Sequence, residues 1–256
     1  MTSHRIIVGV DGSPGAQAAV RWAADECRVR GCSLLVLHSL NSHDTYPVAG
    51  EPAVRGYYVA AEQLLTRYAS VASVRQPGVP VTTLFTREAP AETLIDLSAS
   101  AVMIVVGTRG ANAFTSTMLG SVSTCTATHA LCPVAVVPEH LPAAGGDRIV
   151  VVGKSDGPAG LLAMRFATEE TRIHGATLRA VHAEADPAEA LLLAAQDAQL
   201  LVLGCHHSED RWSTRLGSVP TAVLHRCPCP VVVVGAAHPN SPDTDELISA
   251  AELSAR

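Results

Sequence analysis

The chain has 256 residues, of which 48% are hydrophobic and 16% are charged. This composition supplies ample apolar material for a core and excludes an intrinsically disordered protein. A formal net charge of −6 disfavours a general nucleic-acid-binding protein, which would carry a basic surface. Seven cysteines are too few for a disulfide-rich scaffold, so we expect reduced thiols in a cytoplasmic protein. With neither a signal sequence nor a bilayer-length apolar run, we expect no membrane partner.

Strands and helices alternate along the predicted order of elements. Apolar, β-branched runs at 6–10 and 102–106 indicate strands that are buried on both faces, as in a parallel sheet. Segment 14–30 has apolar residues at helical spacing, with Ser13 at the N-cap position and Gly31 just beyond its end. The alternation predicts right-handed βαβ units and an α/β fold. The predicted elements are β1 (5–10), α1 (14–30), β2 (33–39), α2 (53–74), β3 (79–86), α3 (89–100), β4 (102–106), α4 (118–131) and β5 (134–137).

The second part of the chain repeats the landmarks of the first in the same order. RIIVGVDGSP at 5–14 resembles RIVVVGKSDGP at 148–158, and alignment from the arginines puts Lys154 in the place of Asp11. LGSV occurs at 119–122 and again at 216–219. The spacing differs at one point, because 52 residues separate His38 from Pro90 whereas only 5 separate His182 from Pro187. The second repeat is therefore predicted to lack α2 and β3.

The unequal repeat defines the predicted domain organisation. We expect a complete domain over 1–140, a truncated domain over 147–237 and a polar tail over 238–256. Segment 138–147, with the sequence PEHLPAAGGD, is the predicted linker.

Glycine-rich segments follow two neighbouring strands of the first repeat. Segment 107–121 has the spacing G-x2-G-x9-G-S after β4, and Asp11 follows β1. Ligands bind open α/β sheets beyond the carboxyl ends of the strands, where glycines and a helix N-terminus can cradle a phosphate. Asp11 can accept hydrogen bonds from ribose hydroxyls, and Arg109 can lie beside phosphates. Each feature alone is also explained as a turn or a helix cap, but together they favour a nucleotide site.

With these motifs, residues 5–137 and 148–234 resemble the universal stress protein family in its tandem form. The spacing matches the ATP-binding branch of that family. The resemblance implies Rossmann-like, adenine-nucleotide-α-hydrolase-like domains with strand order 3-2-1-4-5, reduced to 2-1-4-5 in the second repeat. It implies ATP, with or without magnesium, in the first repeat, with the adenine near the backbone of Ser39. The residues implied around ATP are Gly9, Val10, Asp11, Ser39, Gly107, Thr108, Arg109, Gly110, Ala111, Asn112, Ala113, Gly120, Ser121 and Val122.

Two departures from the family pattern are visible in these segments. Asn112 and Ala113 replace a Gly-Gly pair that is often found there, which would stiffen the loop. In the second repeat, Lys154 replaces the carboxylate and His207 replaces the second glycine of the pattern. These changes favour a degenerate repeat that is kept for packing over an altered anion site.

The resemblance also implies how the repeats associate. Segments 134–137 and 231–234, the last strands of the two repeats, are expected to meet across a pseudo-twofold axis. Loss of β3 exposes the second strand of the second repeat as a new sheet edge. We hypothesise that two chains pair there as a homodimer, and we expect a further protein partner of unknown identity.

Binding rather than chemistry is the predicted primary activity. Asp11 is the one obvious carboxylate near the glycine-rich segments, so we predict no catalytic residue. The preferred interpretation is an ATP-binding regulatory protein of the stress response. A scaffold that binds no nucleotide, and a slow ATPase or nucleotidyl transferase, stay open. The thiols and imidazoles at 205–207, 225, 227 and 229 lack C-x2-C spacing and are interpreted as core thiols and surface histidines rather than as zinc ligands.

Overall fold

The computed structural model describes residues 4–40, 51–108, 120–141, 148–183, 185–205 and 216–235, with the backbone alone for 51–54. Its strands are β1 (Arg5–Gly9), β2 (Ser33–Ser39), β3 (Val81–Thr86), β4 (Met103–Gly107), β5 (Val134–Val137), β6 (Ile149–Gly153), β7 (Thr177–Val181), β8 (Leu200–Cys205) and β9 (Val231–Gly235). Its helices are α1 (Pro14–Arg30), α2 (Glu51–Arg75), α3 (Pro90–Ser98), α4 (Ser121–His129), α5 (Pro158–His174), α6 (Pro187–Ala194) and α7 (Ser218–Arg226). The predicted tail lies outside the described residues.

The nine strands within the described residues form one sheet in the order β3-β2-β1-β4-β5-β9-β8-β6-β7. The strands of each repeat are parallel, and the order confirms 3-2-1-4-5 for the first repeat and 2-1-4-5 for the second. β5 and β9 pair antiparallel, with Ala135 opposite Val232. This pairing confirms the expected meeting of the two last strands and makes the sheet continuous across both repeats.

Helices cover both faces of the sheet. On one face, α1, α2 and α5 pack over a core that contains the fully buried Tyr68. On the other face, α3, α4, α6 and α7 pack over a second core around residues such as Leu94 and Val223. Since β-branched and leucine side chains of the central strands point to both cores, the nearly continuous apolar runs in the sequence are explained.

The predicted element boundaries agree with the structure to within a few residues. β3 begins at Val81 rather than at Val79, because the Val79 amide donates to the Gln76 carbonyl at 3.1 Å and so closes a turn. α1 begins after Ser13, whose Oγ accepts from the Ala16 amide at 3.1 Å, and it ends at Gly31 with a φ of 65°. The predicted N-cap and C-terminal glycine are therefore confirmed.

The backbone corrects the predicted position of Lys154. The Lys154 amide donates to the Val181 carbonyl at 2.8 Å, and the Val10 amide makes the same bond to Leu37 at 2.8 Å. Lys154 is therefore the counterpart of Val10, and Ser155 is the counterpart of Asp11. The prediction that Lys154 replaces Asp11 was wrong because the alignment began at the arginines, which are not equivalent in the sheet: Arg5 pairs with Ser33, whereas Ile149 pairs with Thr177.

Candidate functional site

The carboxyl ends of β1 and β4 lie side by side in the middle of the first repeat. Val8 and Val105 are direct neighbours in the parallel ladder. The chain leaves β1 towards α1 on one face and enters β4 from α3 on the other face, so the strand order reverses between them. Such a switch point opens a crevice at the edge of a doubly wound sheet. The sequence-predicted residues that the structure brings to this edge are Gly9, Val10, Asp11, Gly107 and Thr108.

A tight turn holds Asp11 at this edge. Its exposed side chain accepts a hydrogen bond from the Ser13 amide at 3.0 Å. Gly12, between these residues, has a φ of 93°, which favours glycine. The Val10 carbonyl lies 2.8 Å from His38 Nδ1 on β2. The turn after β1 is thus fixed on both sides, and it presents a carboxylate at the mouth of the crevice.

The loop after β4 returns to its starting point. The Thr108 amide donates to the Val137 carbonyl at 3.1 Å, and the Gly120 amide donates to the Thr108 carbonyl at 3.0 Å. The predicted site residues Arg109, Gly110, Ala111, Asn112 and Ala113 belong to this loop and lie outside the described residues. Its two ends, however, are joined at the carboxyl edge of β4.

The first turn of α4 points its amides towards this edge. Gly120 is the N-cap in extended conformation, with a φ of −62° and a ψ of 143°, and it offers no capping side chain. The amides of Ser121, Val122 and Ser123 lie in the first turn, where no intrahelical carbonyl can accept from them. Ser123 Oγ donates to the Gly107 carbonyl at 2.6 Å, which ties the start of the helix to the end of β4.

Packing explains why position 107 is a glycine. A Cβ atom on Gly107 would lie 2.9 Å from the carbonyl carbon of Gly15, in the first turn of α1. Gly204, at the same place in the second repeat, would meet the Ala159 carbonyl oxygen at 2.4 Å. Close packing of strand and helix therefore requires both glycines, and the glycine at this position is not by itself a sign of phosphate binding.

β2 and β3 form the side of the crevice where the family resemblance implies the adenine base. The Leu40 amide donates to the Thr86 carbonyl at 3.0 Å, and the Ser39 hydroxyl donates to the Glu88 carbonyl. Phe85 on β3 lies beside the His38 ring and makes an edge contact with Tyr58 of α2, at a centroid distance of 5.4 Å. Since the second repeat has neither α2 nor β3, it has no equivalent of this wall.

The matching edge of the second repeat also differs at two chemical positions. Ser155 replaces the carboxylate of Asp11, as the strand register shows. α7 begins after Gly217 with Ser218, Val219 and Pro220, and proline has no amide hydrogen. One donor of the helix N-terminus is therefore missing there. His207 lies outside the described residues.

The structure reveals a buried ionic cluster that the sequence analysis missed. Glu26 and Arg30 of α1 meet Glu170 and His174 of α5 between the two repeats. Arg30 Nε lies 3.0 Å from Glu26, and its Nη2 contacts Glu170. His174 Nε2 lies 3.0 Å from Glu26 and 3.4 Å from Glu170. The repeat contained a signal for the cluster, because the register that equates Gly9 with Gly153 also equates the two glutamates.

The groups in this cluster stabilise each other in their charged forms. The carboxylates of Glu170 and Glu26 raise the pKa of His174 to about 9, so the imidazole is protonated at neutral pH. Two carboxylates then face two cations in a buried site. Among the described residues, Glu26, Glu170 and His174 are the group placed closely enough to share a metal ion, but the neighbouring Arg30 already supplies the positive charge.

The described cysteines of the second repeat do not form one cluster that could bind zinc. Cys205 ends β8, whereas Cys227 and Cys229 precede β9. Because β8 and β9 are parallel, Cys205 lies at the carboxyl ends of these strands, whereas Cys227 and Cys229 lie at the amino ends. The structure brings Cys227 and Cys229 together, with their sulfur atoms 3.6 Å apart, and keeps both buried.

Comparison with known proteins agrees with this architecture. The sequence profile described as the universal stress protein family matches residues 2–138 and 157–235. The chain belongs to the universal stress protein family. Among the universal stress proteins it resembles, one from Mycobacterium tuberculosis is 30% identical over 303 aligned positions, covering 91% of this chain and 95% of that protein. Another, from Mycolicibacterium smegmatis, is 30% identical over 292 positions, covering 91% and 97%.

The alignments with these universal stress proteins also bear on the missing elements. Both alignments are longer than the 256 residues of this chain, so the relatives contain segments that have no counterpart here. The fold matches the crystal structure of a universal stress protein from Archaeoglobus fulgidus with a TM-score of 0.75, covering 93% of this chain and all of the other. At 19% identity, that likeness concerns the fold alone. Among the helices described, none is both long and apolar enough to cross a membrane.

Proposed function

We propose that this universal stress protein is a cytoplasmic regulatory module that binds ATP in its first repeat. The observation that carries the proposal is the joint position of Asp11 and the first turn of α4 at one switch point. Amides at a helix N-terminus stabilise phosphate oxygens, and a carboxylate accepts hydrogen bonds from ribose hydroxyls. The family resemblance in the glycine spacing supports the same ligand.

Each part of the nucleotide has its own surroundings at this edge of the sheet. The triphosphate lies against Gly107, Thr108, the loop through Gly110, and the first-turn amides of α4 from Ser121 to Ser123. The ribose lies beside Asp11, and the base lies near the backbone of Ser39. When ATP carries magnesium, phosphate oxygens supply most of the metal ligands.

The second repeat lacks three of these features, and we therefore assign it no nucleotide. Ser155 stands in place of the carboxylate, and Pro220 stands in place of a residue with an amide donor. The second repeat also has no counterpart of β3, which in the first repeat helps to form the side of the crevice near the base. It serves as a packing partner through β9 and α5. ATP in the first repeat then biases contacts of the chain with other proteins, as a ligand with different affinities for two states does.

An ATP titration of the purified chain tests the proposal. We expect ATP to raise the Tm, and Asp11→Ala to weaken ATP binding about tenfold, because a hydrogen bond to a charged group is lost. Ser155→Ala is the matched control and should leave binding unchanged. No effect of ATP at millimolar concentration would favour the scaffold without nucleotide. Steady phosphate release that Asp11→Ala abolishes would favour an ATPase.

We also propose that two chains associate through the edge strand β7, as the loss of β3 leaves its outer backbone groups without a neighbouring strand in the described sheet. Size-exclusion chromatography with light scattering tests this association. We expect twice the mass of the chain, and a strict monomer at all concentrations would contradict it.

A further inference from the structure

Two thiols are in contact in the segment that connects α7 to β9. Cys227 is the C-cap residue of α7, and its amide donates to the Val223 carbonyl at 2.8 Å. Cys229 follows after one proline, and its sulfur lies 3.6 Å from that of Cys227. A disulfide bond is about 2.05 Å long, so the sulfur atoms need to approach by roughly 1.5 Å to form one.

The two thiols differ in access. Cys229 is 0% exposed, whereas Cys227 retains 8% of its surface. Either sulfur can donate the hydrogen bond between them, and the contact with Cys227, together with burial, raises the pKa of Cys229. Since the thiolate is the nucleophile, Cys227 is the residue placed to react first with a small oxidant, and Cys229 is placed to attack it afterwards.

The first repeat has no such pair at the equivalent place. The Ile104 amide donates to the Pro133 carbonyl, as the Leu201 amide donates to that of Pro230, each at 3.0 Å. This match makes Cys132 the counterpart of Cys229. The counterpart of Cys227 is Ala130, which caps α4 with the same backbone bond. Cys132 is thus a single thiol, whose pKa burial raises to about 12.

We propose that Cys227 and Cys229 form a peroxide-reactive dithiol that closes into an intrachain disulfide. The Cys227 thiolate attacks one oxygen of hydrogen peroxide, the O–O bond breaks and the other oxygen leaves as hydroxide, which is protonated to water. Cys227 is then a sulfenic acid. The Cys229 sulfur attacks the Cys227 sulfur, the S–O bond breaks, and the hydroxyl leaves with the Cys229 proton as water. Two thiols and one peroxide thereby give one disulfide and two waters.

Peptide mapping of the full chain tests the proposal without any variant. Trypsin cleaves after Arg226, so segment 227–256 is one peptide that contains these two cysteines and no others. The reduced protein is treated with hydrogen peroxide, alkylated with iodoacetamide under denaturing conditions and digested. We expect this peptide to lose two hydrogen atoms and to carry no alkyl group. The peptide over 110–148, which contains Cys125 and Cys132, should carry two alkyl groups.

Two variants separate the roles of the thiols. Cys227→Ala installs the residue of the first repeat, and Cys229 should then stay reduced and be alkylated. Cys229→Ala should leave Cys227 as a sulfenic acid that the probe dimedone traps. The proposal is overturned if the wild-type peptide keeps two alkyl groups, or if it gains oxygen instead of losing hydrogen. Dimedone on Cys229 in the Cys227→Ala variant would overturn the assigned order of attack.

Discussion

The two repeats share four strands and three helices, but α1 and its counterpart α5 lie in different surroundings. In the first repeat, Ala24 and Cys27 of α1 are buried in the core that contains Tyr68 of α2. Their counterparts on α5 are Thr168, which is exposed, and Thr171, which is half-buried. Both threonine hydroxyls donate to backbone carbonyls of their own helix. Where α2 is missing, polar residues have replaced the small apolar residues that it would cover.

The sheet edge shows the same adaptation. Leu35 of β2 is buried between β1 and β3, whereas its counterpart Arg179 lies on the edge strand β7 and pairs with Asp197 at 2.7 Å. The second repeat is therefore a reduced form of the first, with polar residues where α2 and β3 are missing and apolar residues where β9 meets β5.

The largest effect is expected at the ionic cluster between the repeats. Glu170→Ala removes a fully buried carboxylate and leaves Arg30 and His174 to share Glu26, which should cost about 3–5 kcal/mol of unfolding free energy. Urea denaturation measures the loss. The control is Glu189→Ala in the exposed pair with Arg226, which should change stability by less than about 1 kcal/mol. Equal effects of the two variants would show that the cluster is not buried as described.

A residue exchanged between the repeats tests how closely their loops correspond. Gly160 occupies the place of Ala16, and a Cβ atom there would lie 1.9 Å from the Ser155 carbonyl oxygen. Gly160→Ala should therefore destabilise the chain by about 2–3 kcal/mol, although it installs the residue of the first repeat. The reverse change, Ala16→Gly, should cost at most about 1 kcal/mol in denaturant unfolding. A neutral Gly160→Ala would mean that the loop after β6 follows the course of the loop after β1.

The pH dependence of stability distinguishes His174 from its counterpart Arg30. The pKa of His174 is raised from an ordinary value of about 6.5 to about 9 in the folded chain. Its stabilisation is therefore complete below about pH 6.5 and is lost as the pH rises through about 9, with roughly 2–3 kcal/mol of the loss falling above neutral pH. His174→Arg should flatten this loss, because a guanidinium does not titrate there. Denaturant midpoints at neutral and alkaline pH measure it, and parallel losses in both proteins would rule out His174 as the cause.

The smallest expected effect concerns the first turns of α4 and α7. Ser123→Pro gives α4 the residue that Pro220 provides in α7, and it removes both an amide donor and the bond to the Gly107 carbonyl. We expect ATP binding to weaken about tenfold in a calorimetric titration. Pro220→Ser is the reciprocal control and should leave ATP affinity unchanged. If Pro220→Ser strengthens binding, the second repeat takes part in nucleotide recognition.

Most of the fold was predictable because runs of apolar residues indicate buried strands, and the internal repeat indicates which elements correspond. The apolar runs marked the central strands, and the missing interval between His182 and Pro187 marked the loss of α2 and β3, which the sheet order confirms. The alignment of the loop after β6 with the loop after β1 was not predicted correctly from the sequence. Arg5 and Arg148 look equivalent, but the amide bond of Lys154 shows that the alignment has to begin at the glycines.

The candidate site was predictable to a smaller extent. The sequence placed Asp11 and Gly120 at one edge of the sheet, but it could not show that Gly107 is required by its contact with Gly15. The ionic cluster escaped prediction because a buried glutamate on a helix looks like a surface glutamate in a sequence. Burial of Glu170 becomes evident only when α5 is packed against α1.

The number of ATP molecules bound per chain shows whether the first repeat alone binds the nucleotide. Native mass spectrometry of the full chain with magnesium and excess ATP counts them. We predict one nucleotide per chain, with lower occupancy in the Asp11→Ala variant and unchanged occupancy in the Ser155→Ala variant. Two nucleotides per chain would contradict the assignment to the first repeat alone, and none would contradict ATP binding altogether.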